Sequence, residues 1–164
     1  MLPHIPAQVT PPTRPAPPTP PMCRRGPTAK AALVVAGDDV FTDKEREDIG
    51  RAVRIAEVQT DLRFSVYVGP LGEDSRRTAM RLHAALPDPH RSVLTAVDPP
   101  TRRVEVVTGA MSRRWLDDRS CALATLSMTT SFSAGDLAGG LVNGLLALAE
   151  HARHPRVLHL DQPD

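Results

Sequence analysis

Aromatic side chains are nearly missing from this chain: Phe41, Phe64, Tyr67, Trp115 and Phe132 are all it has in 164 residues. Single-strand nucleic-acid binders stack bases on aromatic platforms, so that class is disfavoured. A charge of one sign is missing as well, because 20 basic and 19 acidic residues leave a net charge of +1. No global field then singles out nucleic acid, an acidic substrate or a membrane surface as partner. Cysteine is limited to Cys23 and Cys121, which have neither the spacing of a zinc site nor the number of a disulfide framework. A reduced, cytoplasmic chain is the expectation. Cys121 lies among Ala122, Leu123 and Leu126 with no base near it in sequence, which reads as a buried inert thiol rather than a nucleophile.

Long apolar runs are lacking too. The most apolar stretch, 137–149, falls short of the roughly 18 residues of a membrane span and contains Asn143. "AALVVAG", after Arg24 and Arg25, is too short for a signal peptide and is closed by Gly37, Asp38 and Asp39. A phosphate-cradling glycine loop, a serine elbow and a metalloprotease helix are all missing.

What is abundant at the start is proline. "MLPHIPAQVTPPTRPAPPTPPMCRRGPTAK" holds few apolar residues, so residues 1–36 are expected to be disordered with polyproline II character. "PPTRPAPPTP" has the spacing of a proline-motif ligand, although such spacing arises freely in Pro-rich tracts. Met22 offers a second start position. At the other end, residues 155–164 are expected to form a flexible tail.

Between them, 40–154 read as one ordered domain, which suits the length of the chain. "TDKE" sets Thr42 as a helix cap with Glu45 three residues on, and Ile49, Ala52, Val53 and Ala56 then repeat on one face to about Gln59. "RFSVYVG" alternates Phe64, Val66 and Val68 with Ser65 and Tyr67, the period of a strand. Ala79, Leu82, Ala85 and Leu86 mark a second helix that stops at Pro87. Two β-rich runs, 92–97 and 103–108, joined by the turn residues of "DPPT", predict an antiparallel hairpin. Helices follow over about 112–130 and 134–153. The order is helix, strand, helix, strand, strand, helix, helix. It predicts a three-layer α/β/α sandwich around a small mixed sheet containing one antiparallel hairpin.

The residues that could carry chemistry are carboxylates at the ends of these elements. A helix over 112–130 places Trp115, Leu116, Ala122, Leu123 and Leu126 on one arc, with Asp117 opposite, Arg119 inside the arc and Asp118 at its border. Asp117 is then solvated surface. Asp118 is either an ion-pair partner for Arg114 or a site residue. Asp98 is either a turn former before Pro99 or a ligand, and Asp136, three residues after Ser133, is either part of a capping box or a ligand. Converging on one edge of the sheet, Asp98, Asp118 and Asp136 would suit a hard cation, Ca2+ or Mg2+, better than zinc. His151 and His154, with His159 beyond them, read as dipole-favoured residues at a helix end rather than a metal site. Gly140 and Gly144 are spaced to let another element pack closely.

The run from "VFTDKEREDIGRAVRIAEVQTDLRFSVYVG" through "VLTAVDPPTRRVEVVTG" to "WLDD" and "FSAGDLAGGL" resembles the TPM domain family. That family is named for a thylakoid-lumen phosphatase, a photosystem II repair protein and an acetylcholine-receptor modulator, and the chain most resembles an actinobacterial branch of unknown function. The resemblance implies an α/β/α sandwich and, for some members, divalent-metal binding and phosphatase activity. By position it places the family's acidic residues at Asp98, Asp118 and Asp136. Where the family commonly has a second glycine and a glutamate, this chain has Met111 and Arg113, and a cation beside a cation site weakens it. The expectation is an accessory or interaction module with an unidentified protein partner, a degenerate carboxylate site and no certain cofactor. The alternative is a metal-dependent phosphatase in which Arg113 and Arg114 steady the substrate phosphate.

Overall fold

The computed structural model describes the backbone of residues 32–35 and the whole of residues 40–153. Expectations for the Pro-rich residues 1–31, for Cys23, His154 and His159, and for the 155–164 tail lie outside the described residues. Among the described residues four strands form one sheet in the order β1 (Ala32–Val35), β2 (Arg63–Val68), β3 (Ser92–Asp98) and β4 (Arg103–Thr108). β1–β2 and β2–β3 are parallel, and β3–β4 is the predicted antiparallel hairpin, with Val93 opposite Thr108 and Asp98 opposite Arg103. Strand β1 is a correction to the sequence reading. It falls within the segment expected to be disordered, and it pairs in parallel with β2.

Helix α1 (Asp43–Thr60) begins as the sequence predicts. The Thr42 hydroxyl accepts from the Glu45 N–H, and the Glu45 carboxylate accepts from the Thr42 N–H at 2.8 Å, so two otherwise unpaired donors are satisfied. Its buried stripe is Ile49, Ala52, Val53 and Ala56. α2 (Ser75–Ala84) is capped by Asp74 and buries Ala79 and His83. α3 (Asp118–Ser133) and α4 (Leu137–Ala152) are the last described elements.

The sheet separates two cores. Phe64, Val66, Val68, Val93, Val97 and Val106 pack with α1, α3 and α4 on one face. Leu94, Ala96 and Val107 pack with Leu71 and Ala79, under α2, on the other. This is the three-layer sandwich with a mixed sheet. Covered on both faces, β3 buries every residue, as a central strand should. Thr95 is fully buried within it, and among the described residues its hydroxyl has no hydrogen-bond partner.

The third long helix departs from expectation. Residues Ser112–Arg114 form a separate 3-10 turn, Leu116 plugs the core, and the Asp117 carboxylate then accepts from the Ser120 N–H at 2.8 Å to start α3 afresh. A helix that restarts at Asp118 has a different phase. Its buried residues are Ala124 and Met128, while Leu123 and Leu126 face outward with relative exposures of 50% and 64%. Arg119 is accordingly exposed, not inside the apolar arc, and Asp117 is a cap rather than plain surface. The α3–α4 seam uses the small residues as the spacing suggested. A methyl group on Gly144 would stand 2.3 Å from the Met128 side chain, and one on Gly140 would stand 2.7 Å from the Phe132 ring.

Candidate functional site

Asp98, at the end of β3, is buried, with 4% relative exposure. Its carboxylate accepts the Leu71 N–H at 3.0 Å and so ties the loop after β2 to the sheet, beside the Gly69 N–H that donates to the Val97 carbonyl at 2.9 Å. The Leu71 hydrogen bond holds its pKa below the usual carboxylate value, with smaller help from Thr101 and Arg103, against the opposing effect of burial. The carboxylate is thus ionised and committed to backbone. Asp136 is also committed: it is itself the cap of α4, accepting the Gly139 N–H at 2.8 Å, whereas Ser133 belongs to the last turn of α3 and donates to the Thr129 carbonyl. The expected Ser133–Asp136 capping box is corrected accordingly.

Asp118 is different. It is exposed in the first turn of α3, where a carboxylate is favoured by the helix dipole, and the described ion pairs include neither Asp118 nor its expected partner Arg114. It stands in a groove of about 440 Å³ between β4 and α3, lined also by Arg76, Val104, Glu105, Cys121 and Leu126. Asp136 belongs to another groove, of about 450 Å³, between α1 and α4 with Glu45, Asp48 and Ile55. Asp98, Asp118 and Asp136 therefore occupy three separate places. Among the described residues no three His, Cys, Asp or Glu side chains are grouped so as to hold a metal ion.

Arg113 and Arg114 are exposed on the 3-10 turn, which hydrogen bonds lash to the segment before β3: the Met111 N–H donates to the His90 carbonyl at 2.9 Å and the Gly109 N–H to the Ser92 carbonyl at 2.9 Å. Cys121 is half-buried. Burial, helped by the Asp118 and Asp117 charges, pushes its thiol pKa up, which opposes thiolate formation. His151 sits beside the Ala147 carbonyl at 2.7 Å, one turn back on its own helix.

Sequence reasoning passed over the groove beside Asp118. Among the described residues its wall on the strand side is an edge, since β4 pairs with β3 and with no other described strand. The Arg76 guanidinium donates to the Val106 carbonyl at 2.7 Å and lies 3.6 Å from Glu105, whose carboxylate also accepts the Ser75 hydroxyl at 2.7 Å. The available signal was Glu105 itself, since a charge inside the run "VEVV" is the mark of an edge strand.

These features define a small α/β/α sandwich in which two of the three candidate carboxylates, Asp98 and Asp136, serve its own backbone. The chain belongs to the family described as a domain of unknown function, DUF5130, whose model matches residues 26–149. It is 31% identical over 118 residues to the uncharacterized proteins Rv2468c and MT2543 of two Mycobacterium tuberculosis strains. The match covers 72% of this chain but 64% of theirs, so the chain spans somewhat under two thirds of those relatives. In fold it is similar to the N-terminal domain of the cg2496 protein of Corynebacterium glutamicum, with a TM-score of 0.63 at 12% identity over 77% of this chain and 84% of that one. It is similar also to the BA42 protein of Bizionia argentinensis, with a TM-score of 0.63 at 19% identity over 70% and 83% of the two chains. Among the described residues no helix is long and apolar enough to cross a membrane.

Proposed function

We propose that this chain is a non-enzymatic accessory or interaction module built on a TPM-like domain, working in the cytoplasm through a protein partner. The observation that supports this reading is the commitment of the carboxylates. Asp98 and Asp136 spend their oxygens on the Leu71 and Gly139 backbone, and Asp118 is left alone in its groove. A hard cation needs several oxygen ligands converging at about 2.3–2.6 Å, and a lone exposed carboxylate binds it weakly.

Calorimetric titration of the chain and of Asp118→Ala with Ca2+ and with Mg2+ tests the reading, alongside an assay of a generic phosphoester. The expected outcome is heat of dilution only, the same for both proteins, and no turnover. Saturable binding abolished in Asp118→Ala would overturn it. With turnover, that result would favour a metal-dependent phosphatase with its cation at Asp118 and with Arg113 and Arg114 steadying the phosphate.

A further inference from the structure

We infer that the groove between β4 and α3 is a docking site for an extended peptide that adds to the sheet as a fifth strand and carries a basic side chain to Asp118. The inference rests on the interaction-module reading and names the surface it would use. In an antiparallel pair, residues alternate between exchanging hydrogen bonds with the partner strand and turning those groups away from it. The bond from the Gly109 N–H to the Ser92 carbonyl fixes the phase in this hairpin. Counting back, Val107 and Glu105 exchange bonds with β3, while Val104 and Val106 turn their N–H and C=O groups outward, into the groove.

Three observations favour a peptide there. The backbone groups that face the groove are the template for strand addition, a recurrent mode of peptide recognition. The opposite wall is three turns of α3, with Asp118, Cys121, Ala122, Thr125, Leu126 and Thr129 following one another along it. An extended segment therefore meets a mixed surface on its α3 side, apolar at Cys121, Ala122 and Leu126. The charges choose the occupant: Arg76 and Glu105 neutralise each other at 3.6 Å, which leaves Asp118 as the unbalanced charge of the groove. A lysine or arginine complements it.

Arg76 then acts as a removable latch. Its guanidinium occupies the Val106 carbonyl, the acceptor that an incoming strand needs, and half of its own surface is open to water, so it can swing away. Strand addition exchanges one donor for another at that carbonyl.

The probe is acetyl-Lys-Val-Lys-Val-Lys-amide, titrated into the full chain while backbone amide shifts and hydrogen exchange are followed, with acetyl-Glu-Val-Glu-Val-Glu-amide as control. The expected result is saturable binding of the lysine peptide, with Val104 and Val106 amides shifted and protected. Arg76→Met should tighten binding about fivefold, the equivalent of one net hydrogen bond. Val104→Pro should abolish it, because proline removes an outward donor without touching the bonds to β3. Should Val104→Pro fail to fold, Arg76→Met together with the exchange pattern decides the matter. Amides of Val104 and Val106 that stay unmoved in both the wild type and Arg76→Met would overturn the inference. So would equal binding of the glutamate peptide. A failure here with no metal binding leaves the module reading standing, whereas Asp118-dependent metal binding overturns that reading whatever the peptide does.

Discussion

Asp98 illustrates how a residue with the look of a ligand can be a structural tether. A buried carboxylate that accepts a backbone N–H contributes on the order of 2 kcal/mol, since a charge-assisted hydrogen bond is worth about 1.5–3 kcal/mol net. Asp98→Ala is expected to lower stability at pH 7 by about that amount. Because the folded-state pKa is depressed, the contribution is fully present above the unfolded value of about 3.9 and is lost as pH falls towards the folded one. Urea midpoints of the two proteins should therefore differ most near neutrality and draw together below about pH 4. A gap that stays constant down to acid pH would contradict the tether. The sequence already showed Asp98 at a strand end before Pro99 and offered a turn-forming role; what it could not show was the Leu71 N–H, which lies 27 positions away in the chain.

Elements were legible where local chemistry decides them. The Thr42–Glu45 box, the α1 stripe and the alternation of β2 each draw their signal from neighbours within a few residues. α3 was misread for a physical reason of the same kind. Asp117 is a strong cap, but it is embedded in residues that continue a helical spacing on both sides, so a restart resembles a continuation. That one break moved Leu123 and Leu126 from the expected core to the surface and exposed Arg119. β1 escaped because four apolar residues carry no period of their own and become a strand only when β2 pairs with them. The connection after β4 carries its own prediction. A methyl group on Gly109 would lie 2.0 Å from the Pro89 carbonyl oxygen and 2.3 Å from that of His90, and backbone cannot retreat as a side-chain tip can. Gly109→Ala should cost about 3 kcal/mol in a urea melt, the upper end of what overpacking costs, and a change below about 0.5 kcal/mol would contradict that close approach.

For the molecule as a whole, the candidate site was legible as three residue numbers but not as an arrangement. The ends of elements are predictable from sequence, whereas which ends meet is set by packing around the sheet, and here Asp118 and Asp136 went to different grooves. The early strand matters at the same scale. A chain that starts at Val40 lacks β1 and leaves the far side of β2 unpaired, so it should show a lower urea midpoint than one that starts at Met22 and should self-associate in sedimentation. Matching midpoints would show that β1 adds nothing to the sheet.

The packing of α4 against α1 bears on how the protein is made. The two helices share one core, yet one is the first described helix and the other the last. During synthesis α1 emerges early with Ile49, Val53 and Ala56 uncovered, and Leu141, Leu145 and Leu148 leave the ribosome only after nearly all the rest of the domain. Chains exit at about 5–20 residues per second, so that apolar face waits several seconds for its cover. An apolar face left open in this way is the kind of surface that holding chaperones bind, and a premature stop within α4 would leave it without its cover.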